Sequence, residues 1–133
     1  MFKVFYKYSA CIKICTDDLT ILCDPWFGES AYDGTWGQYP EINDLENFVG
    51  DFDMVYISHI HPDHYCFESL NLLFNKFGEK KIIIADWGKD KTNYLERKIS
   101  SDGFENLLCI TNNETVNDTE INIIPNNTNS MSD

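Results

Sequence analysis

The sequence lacks the features of a membrane-spanning, secreted or nucleic-acid-binding protein. No apolar run in its 133 residues approaches the ~20 residues that a membrane span needs. The first seven residues alternate polar and apolar side chains, unlike the continuous apolar stretch of a signal peptide. Lysine and arginine total only 10 against 22 acidic residues, and the net charge of −12 disfavours nucleic acids and anionic membranes as partners. We therefore expect a cytoplasmic protein that binds neither nucleic acid nor membrane.

Several catalytic motifs are also missing. The five cysteines include no Cys-x-x-Cys pair, and their odd number argues against a disulfide framework, so we expect reduced thiols. There is no Gly-rich phosphate loop, no Ser/His/Asp set and no nucleophile elbow. Histidine occurs only three times, and all three copies fall within six residues.

What the chain does have is enough apolar material for a core, with 43% hydrophobic and 14% aromatic residues. Alternating and helical apolar patterns predict seven strands and three helices along the chain. Predicted strands are Val4–Tyr8, Ala10–Cys15, Leu19–Cys23, Asp53–Ser58, Lys81–Ala85, Leu107–Ile110 and Ile121–Ile124, and predicted helices are Asp44–Val49, Phe67–Phe77 and Asp90–Ser100.

The order of these elements predicts the fold class. Strands come first, and strands then alternate with helices, which is typical of an α/β layered protein with a mixed sheet and helices on one face. We expect residues 1–125 to form one such unit, followed by a polar tail over residues 126–133.

The segment His59-Ile-His61-Pro-Asp63-His64 is the strongest candidate for chemistry. It directly follows an apolar strand, and strand ends are where α/β sheets open ligand-binding crevices. His59 and His61 are two residues apart and point the same way in extended backbone. Pro62 disfavours helix at His61, so the loop stays separate from the helix after it. Imidazole and carboxylate donors together suit zinc, manganese or iron, and two pairs of donors suit a two-metal site.

This His-x-His-x-Asp-His segment after Val-Tyr-Ile-Ser resembles the signature of the metallo-β-lactamase-fold hydrolases. Residues Leu19–Trp26, with Asp-Pro-Trp at their end, resemble the strand of that superfamily that ends in a motif aspartate. The loop Gly34–Pro40 is similar to one branch, which holds ascorbate-6-phosphate-lactonase-like proteins and the metallo-β-lactamase-like part of CMP-sialic acid hydroxylases. The resemblance covers about residues 4–125 and implies the amino-terminal half of an αββα sandwich.

The resemblance also implies a role for each site residue. His59 and His61 would hold one divalent metal ion, and Asp63 and His64 would hold a second. Asp63 would also be the catalytic residue that faces the metal-activated water, while Asp24 would orient a histidine and select its tautomer. The implied reaction is hydrolysis of an ester, lactone, amide or phosphoester in a small-molecule substrate. The metal is expected to be zinc, with manganese or iron as alternatives and up to two ions in a complete site.

The sequence departs from the family pattern after His64, because no later histidine is present to complete either metal site. Asp133 could at most correspond to the bridging carboxylate. Each metal would then have two protein ligands, whereas catalytic zinc usually takes three. Three explanations stay open: a truncated hydrolase that lacks its carboxyl-terminal half, a homodimer in which a second copy replaces that half, or a non-catalytic interaction and assembly module.

Aromatic residues in the long loop 24–43 have two interpretations. Trp26, Phe27, Trp36 and Tyr39 could line a substrate pocket, or they could pack the loop onto the core. Trp87-Gly88, at another strand end, is a weaker candidate for substrate contact.

Overall fold

A computed structural model describes residues 1–28, 30–86 and 93–124 of the chain. The segments 87–92 and 125–133, on which the predicted start of the third helix, Trp87-Gly88, the polar tail and Asp133 fall, lie outside the described residues. The elements in chain order are β1 Lys3–Tyr8, β2 Cys11–Cys15, β3 Thr20–Cys23, α1 Leu45–Val49, β4 Met54–Ile57, α2 Phe67–Phe77, β5 Lys81–Ala85, α3 Tyr94–Ser101, β6 Leu107–Ile110, β7 Asn113–Val116 and β8 Thr119–Asn122.

Six strands form one mixed sheet in the order β1-β2-β3-β4-β5-β6. The first three strands pair antiparallel through short turns, whereas β3, β4, β5 and β6 pair parallel. Parallel neighbours need a crossover connection, and each of the three crossovers contains one helix. This topology brings the carboxyl ends of β3 to β6 to a single edge of the sheet.

All three helices contribute to one apolar cluster on one face of the sheet. Strand residues two apart point to the same side, so Val55 and Ile57 of β4 lie in this cluster. Met54 lies in a separate cluster on the opposite face, and Tyr56 packs against that second cluster. The mixed sheet with helices on one face confirms the predicted fold class.

Helix α2 shows how the apolar spacing determines this packing. Leu70 and Leu73, three residues apart, are fully buried against the sheet, whereas Leu72 between them is 49% exposed. The helix ends before Gly78, whose φ of 79° is a conformation that glycine adopts without steric cost. Helix α3 begins after Asn93, whose side chain accepts a hydrogen bond from the Glu96 amide.

The opposite face of the sheet is partly covered by a β7–β8 hairpin, of which the apolar pattern predicts only the second strand. Val116 and Ile121 pack against the cluster that contains Met54 and Ile83. Strand β7 was missed because it is mostly polar and exposed, and the predicted strand Ile121–Ile124 begins two residues earlier, at Thr119. The hairpin is also attached to the turn between β2 and β3, because the Thr119 hydroxyl donates a hydrogen bond to Asp18 Oδ1 at 2.6 Å.

No helix in the described part of the chain is long and apolar enough to cross a membrane.

Candidate metal centre

The predicted metal-binding segment lies where the parallel strands β3 and β4 end side by side. Cys23 of β3 pairs with Tyr56 of β4, and the Asp24 amide donates to the Tyr56 carbonyl at 2.8 Å. Asp24 therefore leaves the sheet beside Ser58, one residue before the first histidine. This register places an aspartate and a His-rich loop, 34 residues or more apart in sequence, at one edge of the sheet.

Asp24 connects the two strand ends through three hydrogen bonds. Its Oδ1 accepts from the Ser58 amide at 2.7 Å, and its Oδ2 accepts from the Ser58 hydroxyl at 2.7 Å. The same Oδ2 lies 2.9 Å from Nδ1 of His64. Asp24 has a φ of 45°, a left-handed conformation that aspartate tolerates better than most residues. A carboxylate at His64 Nδ1 favours a proton there, which leaves Nε2 as a metal-binding lone pair.

The three imidazole rings form a compact cluster around His59. His59 Nε2 lies 2.9 Å from His61 Nδ1, and the ring centroids of His59 and His64 are 4.0 Å apart. Partial burial, reinforced by the two neighbouring imidazoles, holds the pKa of His59 below its usual value. His59 is therefore neutral at physiological pH, which is the protonation state that a metal ligand requires.

Asp63 faces the same space and is held by a tyrosine from the long loop. Its Oδ1 accepts a hydrogen bond from the Tyr32 hydroxyl at 2.7 Å, and its Oδ2 lies 3.5 Å from His64 Nε2. Burial raises the pKa of the Asp63 carboxyl, but the Tyr32 hydrogen bond and the facing histidines outweigh this effect and leave the pKa below its usual range. Asp63 is thus a buried, ionised carboxylate.

The donor set has the chemistry for a divalent metal ion, as two pairs rather than as a complete site. The first pair is His59 Nε2 with His61 Nδ1, which lie 2.9 Å apart, at hydrogen-bonding distance from each other. The second pair is His64 Nε2 with Asp63 Oδ2 at 3.5 Å. Within residues 1–28, 30–86 and 93–124, no group of three or more His, Cys, Asp or Glu side chains is arranged to hold a metal ion.

All five residues that were singled out from the sequence, His59, His61, Asp63, His64 and Asp24, lie together at this edge. Whether they bind metal stays a prediction. Sequence reasoning missed two further participants. Ser58 was predicted only as the last residue of a strand, yet its hydroxyl links Asp24 to His59 and His64. Tyr32 carried no signal beyond its membership of an aromatic-rich loop.

Cys66, two residues beyond the His-rich segment, lies in the structure as a small buried residue. It is buried directly before α2, and burial raises the pKa of its thiol. Its Sγ lies 3.5 Å from Glu68 Oε2 and is engaged there rather than with the histidines.

Asp24→Asn should alter His64 without unfolding the loop. Asparagine tolerates the left-handed backbone, and its carbonyl oxygen can still accept a hydrogen bond from the Ser58 amide. Its NH₂ group, however, cannot accept a hydrogen bond from His64 Nδ1. We expect the His64 ring to change tautomer and the affinity for Zn²⁺ to fall about 10- to 100-fold. Ring ¹⁵N chemical shifts and calorimetric titration measure the two effects. Asp51→Asn, an exposed aspartate near the same strand, is the control, and an unchanged His64 tautomer in Asp24→Asn would contradict the assignment.

The fold and the site together define the amino-terminal part of a metallo-β-lactamase fold: a mixed sheet, helices on one face and a His-rich loop at the end of a parallel strand. The chain belongs to the beta-lactamase superfamily, since the family model described as "Beta-lactamase superfamily domain" matches residues 3–131.

Comparisons with known proteins agree on this fold. The chain is 32% identical over 85 residues to the cytidine monophosphate-N-acetylneuraminic acid hydroxylase of Asterias rubens, which covers 63% of this chain and 13% of that protein. CmlA, a diiron β-hydroxylase from Streptomyces venezuelae, superimposes with a TM-score of 0.65 at 19% identity and covers 93% of this chain and 24% of its own. A metallo hydrolase from Ignicoccus hospitalis superimposes with a TM-score of 0.53 at 19% identity, and the match covers 88% of this chain and 43% of the hydrolase chain.

The chain spans only 13–18% of the length of the curated relatives that it matches. The similarity therefore concerns one part of those proteins. The curated relative from Asterias rubens is named a hydroxylase, whereas the solved structure from Ignicoccus hospitalis is named a metallo hydrolase, so proteins with this fold differ in the reaction they are named for.

Proposed function

We propose that this chain is the amino-terminal, metal-binding part of a metal-dependent hydrolase that acts on a small molecule. The observation that carries the proposal is the placement of His59, His61, Asp63 and His64 at one edge of the sheet, with Asp24 bonded to His64. Metal-dependent relatives with the same fold support the proposal.

Each residue has a separable part in the proposed reaction. A bound divalent metal ion supplies a water of lowered pKa and polarises the scissile bond. His59 and His61 would hold one ion, and Asp63 and His64 would hold the other. The ionised Asp63 carboxylate accepts a hydrogen bond from the attacking water and orients it. Asp24 keeps the His64 proton on Nδ1, so that Nε2 remains available as a ligand.

The remaining ligands are proposed to come from a second stretch of protein, either a carboxyl-terminal half or a second copy of this chain. The described residues supply two donors for each ion, one fewer than the three of a typical catalytic zinc site. We propose zinc as the metal, with manganese or iron as alternatives.

A second candidate is the metal-binding part of a hydroxylase with two iron ions. Its support is that the Asterias rubens relative is a hydroxylase and that CmlA is a diiron protein. Histidine and carboxylate donors also suit iron, so the donor set does not separate the two candidates. The identity of the bound metal, taken together with a test of hydrolysis, does.

A third candidate is not an enzyme but a non-catalytic assembly module, and one observation on the sheet favours it. Val4 and Tyr6 of β1 lie in register with Ile14 and Ile12 of β2, and Val4 and Tyr6 are 51% and 72% exposed. Exposed apolar rows of this kind mark interaction surfaces.

Metal analysis of the purified chain separates these proposals. We expect zinc or manganese to bind with a dissociation constant below about 10 μM, and a panel of ester, lactone, amide and phosphoester substrates then tests hydrolysis. Two iron ions per chain, with none of these substrates hydrolysed, would instead support the hydroxylase. No binding of zinc, manganese or iron in that range would contradict both metal proposals and leave the assembly module.

A further inference from the structure

A wide cleft opens at the same edge of the sheet as the His-rich loop. Because β2 runs antiparallel to β3 and Ile12 pairs with Cys23, the turn between β1 and β2 lies at the edge where Asp24 leaves β3. The cleft has a volume of about 730 Å³, within the usual range for small-molecule sites. It is lined by this turn and by the long loop: Tyr6, Lys7, Tyr8, Ser9, Trp26, Thr35, Trp36, Gly37, Gln38, Tyr39 and Phe48.

The aromatic walls of this cleft are exposed but held in place. Trp36 is 56% exposed and Tyr39 is 92% exposed, so neither ring is needed to fill the core. The loop that carries them is tied to the sheet because Tyr8 donates its hydroxyl proton to the Pro40 carbonyl at 2.6 Å. Gln38 Nε2 donates to the Trp26 carbonyl at 2.5 Å. Exposed aromatic faces on a tethered loop favour stacking against a flat ring.

The charge of the cleft is opposite to that of the whole protein. Among the described residues that line it, Lys7 is the charged one, in a chain whose net charge is −12. Its ammonium group is held at the wall, where Nζ donates to the Phe48 carbonyl at 2.7 Å. A cation in an otherwise acidic protein makes this cleft a favourable place for an anionic group.

The cleft is also in contact with the candidate metal centre through a pair of rings. Trp36 lines the cleft and packs edge-to-face on Tyr32, with ring centroids 5.2 Å apart. Tyr32 donates in turn to Asp63. The Ala31 amide donates to the Trp36 carbonyl at 2.9 Å, which closes a short turn and holds the two rings together.

We propose that this cleft binds the non-reacting part of the substrate, and that this part is a flat unsaturated ring bearing an anionic group. The ring stacks between Trp36 and Tyr39, and the anion lies at Lys7. That the bound molecule is the substrate depends on the proposed function, whereas the binding itself does not require a metal ion.

Titration of the metal-free chain with phenyl phosphate tests the proposal. Amide chemical shifts in ¹H–¹⁵N spectra locate binding, and inorganic phosphate and benzyl alcohol serve as half-ligands that carry only the anion or only the ring. We expect shifts at the cleft residues, with phenyl phosphate binding about tenfold more tightly than either half-ligand. Because metal is absent, a failure of the metal centre leaves this result unaffected.

Variants then assign the interaction to the named side chains. Trp36→Ala, Tyr39→Ala and Lys7→Met should each weaken phenyl phosphate binding about fivefold, and Lys7→Arg should restore it. Tyr94→Ala, which removes an exposed aromatic ring on α3 that does not line the cleft, should have no effect. The proposal would be overturned if the chemical-shift changes lay outside the cleft, or if either half-ligand bound as tightly as phenyl phosphate. It would also be overturned if none of the three cleft variants weakened binding.

Discussion

Replacing His59 with alanine should weaken binding of divalent metal ions by at least about 100-fold. His59 is the centre of the histidine cluster, since its ring lies against both His61 and His64. Removing hydrogen-bond partners behind metal ligands typically costs 10- to 100-fold in affinity, and removing a ligand itself should cost at least as much. Calorimetric titration with Zn²⁺ and Mn²⁺ measures the change directly.

Ile60→Ala is the matched control for this prediction. It lies between His59 and His61, carries no metal-binding atom and is partly buried against the core. We expect it to keep the metal affinity within about threefold while lowering stability slightly. If His59→Ala retained the affinity of the unmodified chain, the metal would bind elsewhere and the assignment of the centre would be wrong.

Leu73→Ala should lower the free energy of unfolding by about 2–5 kcal/mol, the largest stability effect that we expect from a single substitution. Leu73 lies on the inner side of α2 and is fully buried in the cluster that joins the helices to the sheet. Truncation removes apolar contacts and leaves a cavity that the packed sheet cannot close. Urea denaturation followed by circular dichroism measures the loss.

Leu72→Ala, in the same helix, provides the comparison. Leu72 is 49% exposed, so its truncation should change stability by no more than about 0.5 kcal/mol, and alanine's higher helix propensity offsets part of the loss. Equal effects of the two substitutions would mean that α2 does not pack on the sheet through this side.

Local patterns were sufficient for the elements with strong periodicity. Helix α2 and strand β5 were predicted because burial on a helix or strand imposes a fixed spacing of apolar residues. Leu70 and Leu73 show this spacing in α2, and the run Ile82–Ile84 shows it in β5. Strand β7 has no such spacing. It lies at the surface and is stabilised by pairing with β8, so its polar residues resemble a loop in sequence.

The candidate centre shows the same division. The His59–His64 segment was recognised because its donors are adjacent in the chain. Tyr32 was not, because its hydrogen bond to Asp63 spans 31 residues and depends on how the long loop folds back. The four loop aromatics also divide into two pairs: Trp26 and Phe27 are buried, whereas Trp36 and Tyr39 are exposed along the cleft that Trp26 also borders.

The sequence by itself determined the α/β class, the placement of helices on one face of the sheet and the donors of the candidate metal centre. These properties follow from residue spacing and side-chain chemistry, which act over a few positions. Only the tertiary structure decided that Asp24 and Ser58 meet, that Tyr32 holds Asp63 and that Lys7 lies in a cleft beside the centre. Those contacts depend on strand register and loop closure, because the pairing of β3 with β4 is what brings together residues 34 positions apart.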